Sequence, residues 1–208
     1  MTDFFDARAG TWDDDPAKVE RARVVARAIR DSVPLDATVR MLEYGAGTGL
    51  VTQALRGAVG PVTLADTSAG MREVVERKIA SGELEDARVW DLDLATQEPP
   101  PDAEFDLIVT VQTLHHIRDL GPVLARFARL LRDGGHLCIA DLESEDGSFH
   151  GSDFAGHRGF ARAELEADLV HAGFADVTYE RCAEVVRGGV AYPLFLATCV
   201  RPAAGGTT

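Results

Sequence analysis

Apolar and polar positions along this chain change period several times, and each change marks an element. Asp13–Asp15 followed by Pro16 signal a helix start, with the proline near the first turn, where a missing N–H leaves nothing unpaired. Val19, Val25, Ile29 and Val33, with alanines between, recur at helical spacing up to Pro34. Val39-Arg40-Met41-Leu42 then reads as a strand running straight into a glycine-rich turn. A helix is predicted from about Leu50 to Arg56, a strand at Val62–Leu64 ending in Asp66, a helix from a Ser68 cap to about Ala80, and a short strand over Arg88–Leu92. Phe105–Val111 is almost wholly apolar, as a strand buried on both faces should be. A helix over about Leu120–Leu131 is expected to stop at Asp133-Gly134-Gly135, a C-cap signal, before a second buried strand at His136–Ala140. Alternation of this kind predicts an α/β fold: a doubly wound, mainly parallel sheet with helices on both faces.

The last third differs. Glu143–Gly159 is polar, contains four glycines and reads as a loop. A helix over Arg162–Ala172 ends at Gly173. Val177–Cys182 and Tyr192–Val200 are strand-like and joined by a turn at Gly188-Gly189, which suggests an antiparallel hairpin closing the sheet edge. The organisation expected is an N-terminal helical segment over 1–35, one α/β domain over 36–202 and a disordered tail over 203–208.

Composition narrows the partners. Apolar residues make up 46% of the 208, enough for a substantial core, while a net charge of -13 from 34 acidic and 21 basic residues repels phosphate backbones and anionic lipid. No dense Lys/Arg cluster offsets this; the stretch Arg21–Arg30 reads as the charged side of a helix, so neither nucleic acid nor membrane is an expected partner. Cys138, Cys182 and Cys199 have neither metal nor redox spacing, and an odd number argues against a disulfide framework. Residues 1–15 carry five aspartates and no apolar core of a leader, so a cytoplasmic protein is expected.

The chemistry concentrates at Glu43-Tyr44-Gly45-Ala46-Gly47-Thr48-Gly49, between a strand and a helix. Glycines there allow a tight turn and close approach of a ligand, at the carboxyl end of a strand where open α/β sheets bind their ligands. A nicotinamide enzyme would want G-x-G-x-x-G; here the spacing is G-x-G-x-G, and Leu50 holds the place of the last glycine. The turn instead resembles motif I of the class I methyltransferases dependent on S-adenosyl-L-methionine (SAM). Asp66-Thr67-Ser68-Ala69-Gly70-Met71 is similar to that family's D-x-S-x-x-M, Phe105-Asp106-Leu107-Ile108-Val109 to its fourth strand, and Leu130-Leu131-Arg132-Asp133-Gly134-Gly135 to its L-L-x-x-G-G turn. The resemblance runs over about residues 39–142 and implies a seven-stranded sheet with an antiparallel C-terminal strand. It further implies that Glu43, Gly45, Ala46 and Gly47 hold the methionine moiety of SAM and that Asp66 takes the ribose. Thr67 or Met71 would line the adenine, Leu92-Asp93-Leu94 would bring Asp93 to its amine, with Asp91 as an alternative, and Thr110, Val111 and Gln112 would face the sulfonium. Phe4-Phe5 and Ala9–Asp13 resemble a segment that folds over the cofactor, so that Trp12 either helps close the site or packs the N-terminal helix onto the domain.

Methyl transfer from a sulfonium needs alignment and exclusion of water above all, and a base only when the acceptor is protonated. Leu114-His115-His116-Ile117 resembles the family's L-H-H-I/L element, which puts His115 or His116 forward as a base near the acceptor; the alternative is that the pair caps backbone. The loop Ser144–Phe160 is expected to form a substrate lid, with His116, Phe149, His150, His157 and Phe160 as substrate contacts, although Phe149 and Phe160 could equally pin the loop to the core. Asp141, Glu143, His150 and His157 match no standard ligand spacing, so no metal is expected. Two functions stand open: a methyltransferase acting on a small-molecule acceptor, with S-adenosyl-L-homocysteine as product and a homodimer as a possible assembly, or a protein that binds SAM or its product without catalysis.

Overall fold

A computed structural model describes residues 2–151 and 153–203, and of the tail expected to be disordered all but Ala203 lies outside the described residues. Contacts group the chain into two compact units, the first ending at Asp93 and the second beginning at Leu94. Seven strands form one mixed sheet in the order β3-β2-β1-β4-β5-β7-β6, numbered along the chain.

The first unit holds α1 (Thr2–Asp6), a 3-10 turn at Ala9–Asp14, α2 (Pro16–Ser32), β1 (Met41–Tyr44), α3 (Leu50–Leu55), β2 (Val62–Ala65), α4 (Ala69–Ser81) and β3 (Ala87–Trp90). Asp15 caps α2 as its sequence suggests, accepting the Ala17 N–H at 2.9 Å with Pro16 behind it. β1 starts at Met41 rather than Val39, because Asp36 first turns the chain, taking the Thr38 N–H on its carboxylate at 2.7 Å and the Val39 N–H on its carbonyl at 3.1 Å. The three strands are parallel, with Met41 opposite Val62 and Val62 opposite Ala87. Every residue of β1 and β2 is buried, which is how strands covered on both faces read. α2 lies against α3 and buries Ala22, Val25, Ala26 and Ile29.

The second unit holds β4 (Phe105–Val111), a 3-10 turn at Leu114–His116, α5 (Leu120–Leu130), β5 (Leu131–Leu142), α6 (Arg162–His171), β6 (Ala175–Arg187) and β7 (Val190–Val200). β4 and β5 are parallel, and β7 runs antiparallel to both β5 and β6, so the terminal hairpin places its second strand inside the sheet and its first strand at the edge. α5 buries Leu120, Val123, Leu124, Phe127 and Leu130 along one stripe.

The expected glycine cap of α5 is corrected. The helix ends at Leu130 and Leu131 is already extended, at φ -80 and ψ 139, pairing with Phe105 of β4. A buried leucine gains more as a strand residue in the core than as a solvent-side cap. Gly134-Gly135 instead bends β5 internally, clipped by Arg201: its carbonyl accepts the Gly134 N–H at 2.8 Å and its N–H donates to Gly135 at 2.9 Å. The loop after β5 is stapled at its base, with the Ser144 N–H on the Phe160 carbonyl at 3.1 Å and the Phe160 N–H on that of Leu142 at 2.9 Å. The staple requires glycine at 159, where φ is +68 and a Cβ would overlap the Glu143 carbonyl. No helix among the described residues is long and apolar enough to cross a membrane.

Phe127 is fully buried, so Phe127→Ala is expected to lower unfolding free energy by roughly 3–5 kcal/mol in urea titrations. Val186→Ala, at an exposed position of the edge strand, should stay within about 0.5 kcal/mol.

Candidate active site

In the first unit β1 delivers the chain into a bend where Gly45, Gly47 and Gly49 have φ of 70, 55 and 78. The Gly45 and Ala46 N–H groups both donate to the Ala65 carbonyl, at 2.8 and 3.0 Å, which ties the bend to the end of β2. At Gly47 a Cβ would meet nothing within 4 Å, so the backbone there faces open space. The Gly47 N–H donates to Asp66 Oδ2 at 2.7 Å and the Ser68 N–H to Asp66 Oδ1 at 2.8 Å. Asp66 thus links the bend to the cap of α4, and each of its oxygens keeps a further lone pair. Burial pushes its pKa upward, against the backbone N–H groups of Ser68, Gly47 and Thr67 and the charge of Arg72. Thr67 beside it is exposed, whereas Met71 is buried among Ala9 and Val74 with Phe5 and Trp12 packed against them. Trp12 sits edge-on to Phe5 at 5.9 Å, with Lys18 Nζ 3.7 Å over its ring.

Glu43 is buried and accepts from the Thr52 N–H at 3.1 Å and from the Thr52 hydroxyl. Burial raises its pKa to about 7 in spite of those bonds. Lys78, which sequence reasoning passed over, is buried beside it in α4. Its ammonium donates to the Thr48 carbonyl and Gln53 Oε1, both at 2.7 Å, and pairs with Asp13 Oδ2 at 2.6 Å. Asp6 of α1 accepts the Gly70 N–H at 2.9 Å and the Ser68 hydroxyl, capping α4 from outside. Beyond β3, Asp91 is exposed and held by Arg72 at 2.9 Å, while Asp93 is half-buried and Leu94, the first residue of the second unit, is buried.

In the second unit Thr110 is buried, its hydroxyl without a hydrogen-bond partner among the described residues. Val111 and Gln112 are half-buried, and Gln112 adopts φ 51 while its N–H donates to the Ala140 carbonyl at 2.7 Å. That turn leads into the histidine pair. His115 is buried, and its Nδ1 lies 2.6 Å from Oδ1 of the fully buried Asp141, which also accepts the N–H of Leu142 at 2.8 Å. The loop after β5 adds His150, whose ring centre lies 5.0 Å from that of His115 and 5.3 Å from that of His116. Phe154, another residue without a sequence signal, stacks on His150 at 3.8 Å. Burial, then the charges of neighbouring histidines, holds His116 down to about 3; burial, then His115 and Arg187, holds His150 to about 4. Both imidazoles are therefore neutral at physiological pH. His157 donates its N–H to the His115 carbonyl at 2.7 Å, while its ring lies 5.2 Å from that of Phe160. Phe149 is buried with Leu142, Tyr192 and Leu194, and Phe160 packs towards Phe195, so both rings anchor the loop on the core.

Comparison with known proteins agrees with this architecture. Residues 13–179 match a family described as a methyltransferase domain. Over 137 residues, 64% of this chain, it is 32% identical to the 27-O-demethylrifamycin SV methyltransferase of Amycolatopsis mediterranei, and the match spans 50% of that relative. The next relatives are matched over 30% and 42% of their own length, so the chain spans half or less of these proteins. Among solved structures, the N-methyltransferase NodS of Bradyrhizobium japonicum in complex with S-adenosyl-L-homocysteine superposes with a TM-score of 0.69 at 19% identity, over 91% of this chain and 90% of its own. The [4+2]-cyclase SpnF superposes at 0.71 with 17% identity, over 88% and 81%. At such identities the likeness is one of fold; the family match, which spans most of the sequence, goes further, and the chain belongs to the methyltransferase-domain family.

Proposed function

We propose that this protein binds S-adenosyl-L-methionine and transfers its methyl group to a small-molecule acceptor, leaving S-adenosyl-L-homocysteine. The observation that carries the reading is the open glycine bend at Gly47, hydrogen-bonded to the strand-end carboxylate of Asp66, in a chain of this family. These residues suit the ligand chemically: an unobstructed backbone for an aminoacyl chain, and a carboxylate with spare lone pairs for two ribose hydroxyls. Glu43, Gly45, Ala46 and Gly47 would hold the methionine part, Asp66 the ribose, Thr67, Met71, Asp93 and Leu94 the adenine, and Thr110, Val111 and Gln112 the sulfonium side. Trp12 belongs to the N-terminal segment that would close over the cofactor. SAM supplies an activated methyl group on a good leaving sulfur.

The protein's own work is alignment and proton handling. Asp141 fixes the His115 ring through Nδ1, which leaves Nε2 as the nitrogen able to take a proton. An acceptor proton would pass to His115 or, less readily because burial makes it a weak base, to His116. His150 and His157, with the ring of Phe154, would contact the acceptor, and Phe149 and Phe160 would support that wall. The acidic surface favours a small acceptor over nucleic acid, as do relatives such as the rifamycin methyltransferase. Three free cysteines fit a reducing cytoplasm. Binding of SAM or its product without catalysis is the second reading; a [4+2]-cyclase with the same fold illustrates only that the fold does not by itself require methyl transfer.

Calorimetry with SAM is expected to give one site per chain, and Asp66→Asn should weaken it by roughly 1–3 kcal/mol, through loss of hydrogen bonds to a charged group. An unchanged affinity would mean the ribose is held elsewhere. Release of S-adenosyl-L-homocysteine across an acceptor library separates catalysis from binding alone.

Glu43 generates a pH effect. With its pKa raised to about 7, the carboxyl is about half protonated at neutral pH, and a cationic amino group beside it favours the ionised form. SAM affinity should therefore rise from pH 6 to 8, with about half a proton released per site at pH 7 when calorimetry is run in buffers of different ionisation enthalpy. Glu43→Gln should abolish the release.

A further inference from the structure

We propose that His115, His116 and His150 form a site for a divalent transition metal of the zinc class. One nitrogen from each ring lies within 4.8 Å of those of the other two. A tetrahedral ion with Zn–N bonds near 2.05 Å wants nitrogens about 3.4 Å apart, so the rings would close inward by up to roughly 1.4 Å around it.

Three further observations point the same way. Asp141 binds Nδ1 of His115, which fixes the tautomer and turns the Nε2 lone pair outward; a carboxylate behind a ligating imidazole is the usual support of such a ligand. Asp141 is itself locked by the Leu142 N–H, so this support exists before any ion arrives. The buried Nδ1 of His150 has no hydrogen-bond partner among the described residues, although a buried imidazole nitrogen normally finds one. Phe154, stacked flat on the His150 ring, holds that ring in place.

The ligand set escapes sequence reading because two of its members are adjacent on a 3-10 turn and the third lies in the loop after β5, a spacing that matches no standard metal pattern. Three protein nitrogens leave a fourth position of a tetrahedral ion open, as in sites that activate an oxygen, and a bound ion would replace proton uptake by His115 or His116, whose ring nitrogens it occupies. This points to an acceptor with an oxygen donor, such as a hydroxyl group. The role in acceptor chemistry rests on the methyltransferase reading; metal binding itself does not.

The test uses full-length protein without an affinity tag, stripped with a chelator and titrated with Co²⁺ while visible ligand-field absorption is followed, then with Zn²⁺ in competition. One Co²⁺ per chain is expected, with the strong band of a four- or five-coordinate ion that Zn²⁺ displaces. His150→Ala, in the loop after β5, should weaken binding by roughly 100-fold or more with an unchanged circular-dichroism spectrum and SAM affinity, and Asp141→Asn by roughly 10- to 100-fold. His171→Ala, on the exposed end of α6, should leave it unchanged. Absence of the band at stoichiometric Co²⁺, or equal affinity in His150→Ala, overturns the site. SAM calorimetry on the same metal-free sample separates the two readings: SAM binding without metal uptake overturns the metal site alone, and metal uptake without SAM binding overturns the cofactor reading alone.

Discussion

A buried ammonium needs an acceptor for each of its protons, and Lys78 finds its three in three different segments. Asp13 comes from the 3-10 turn ahead of α2, Thr48 from the glycine bend and Gln53 from α3. One charge therefore fixes the N-terminal segment, the bend and the first helix after it at a common point. The geometry of the candidate cofactor half follows from that constraint, because the bend has few side chains of its own to hold it. The second unit solves the mirror problem with a buried carboxylate. Asp141 accepts from the His115 ring and from backbone N–H groups on both sides, so the histidine turn and the end of β5 are set together.

Acidic residues near the start of the chain take on a meaning that composition hides. The sequence shows five aspartates in fifteen residues, with a structural role legible only where they precede Pro16. Three of them are structural: Asp15 caps α2, Asp6 caps α4 across a gap of more than sixty residues, and Asp13 neutralises Lys78. Local pattern reveals only the first, because a cap within two residues leaves a trace in sequence and a cap from a distant segment leaves none.

The same distinction divides what was legible from what was not. β4 and α5 were readable because burial alone dictates their composition, in one case on both faces and in the other along one stripe. β6 extends well beyond the predicted Val177–Cys182, since an edge strand with alternate positions exposed mixes Glu and Arg among its apolar residues and blurs the period. The DGG stretch after α5 misled because glycine serves a bend within a strand as readily as a helix end, and the pairing of Leu131 decides between them. At the site, the glycine bend and Asp66 were visible because positive φ and a strand-end acid restrict residue choice. Lys78 and Phe154 were invisible: a lysine on an amphipathic helix and a phenylalanine in a loop have nothing unusual about them until distant partners are known.

The staple at the base of the loop after β5 has an evolutionary consequence. Both of its ends are fastened to main-chain carbonyls through contacts that one extra methyl group at Gly159 would break. Drift is thereby channelled into the stretch between the fasteners, where His150 and Phe154 lie. Descendants of this scaffold can vary that insert around its Phe149 anchor, and acquire new chemical tastes, while the sheet beneath it stays as it is.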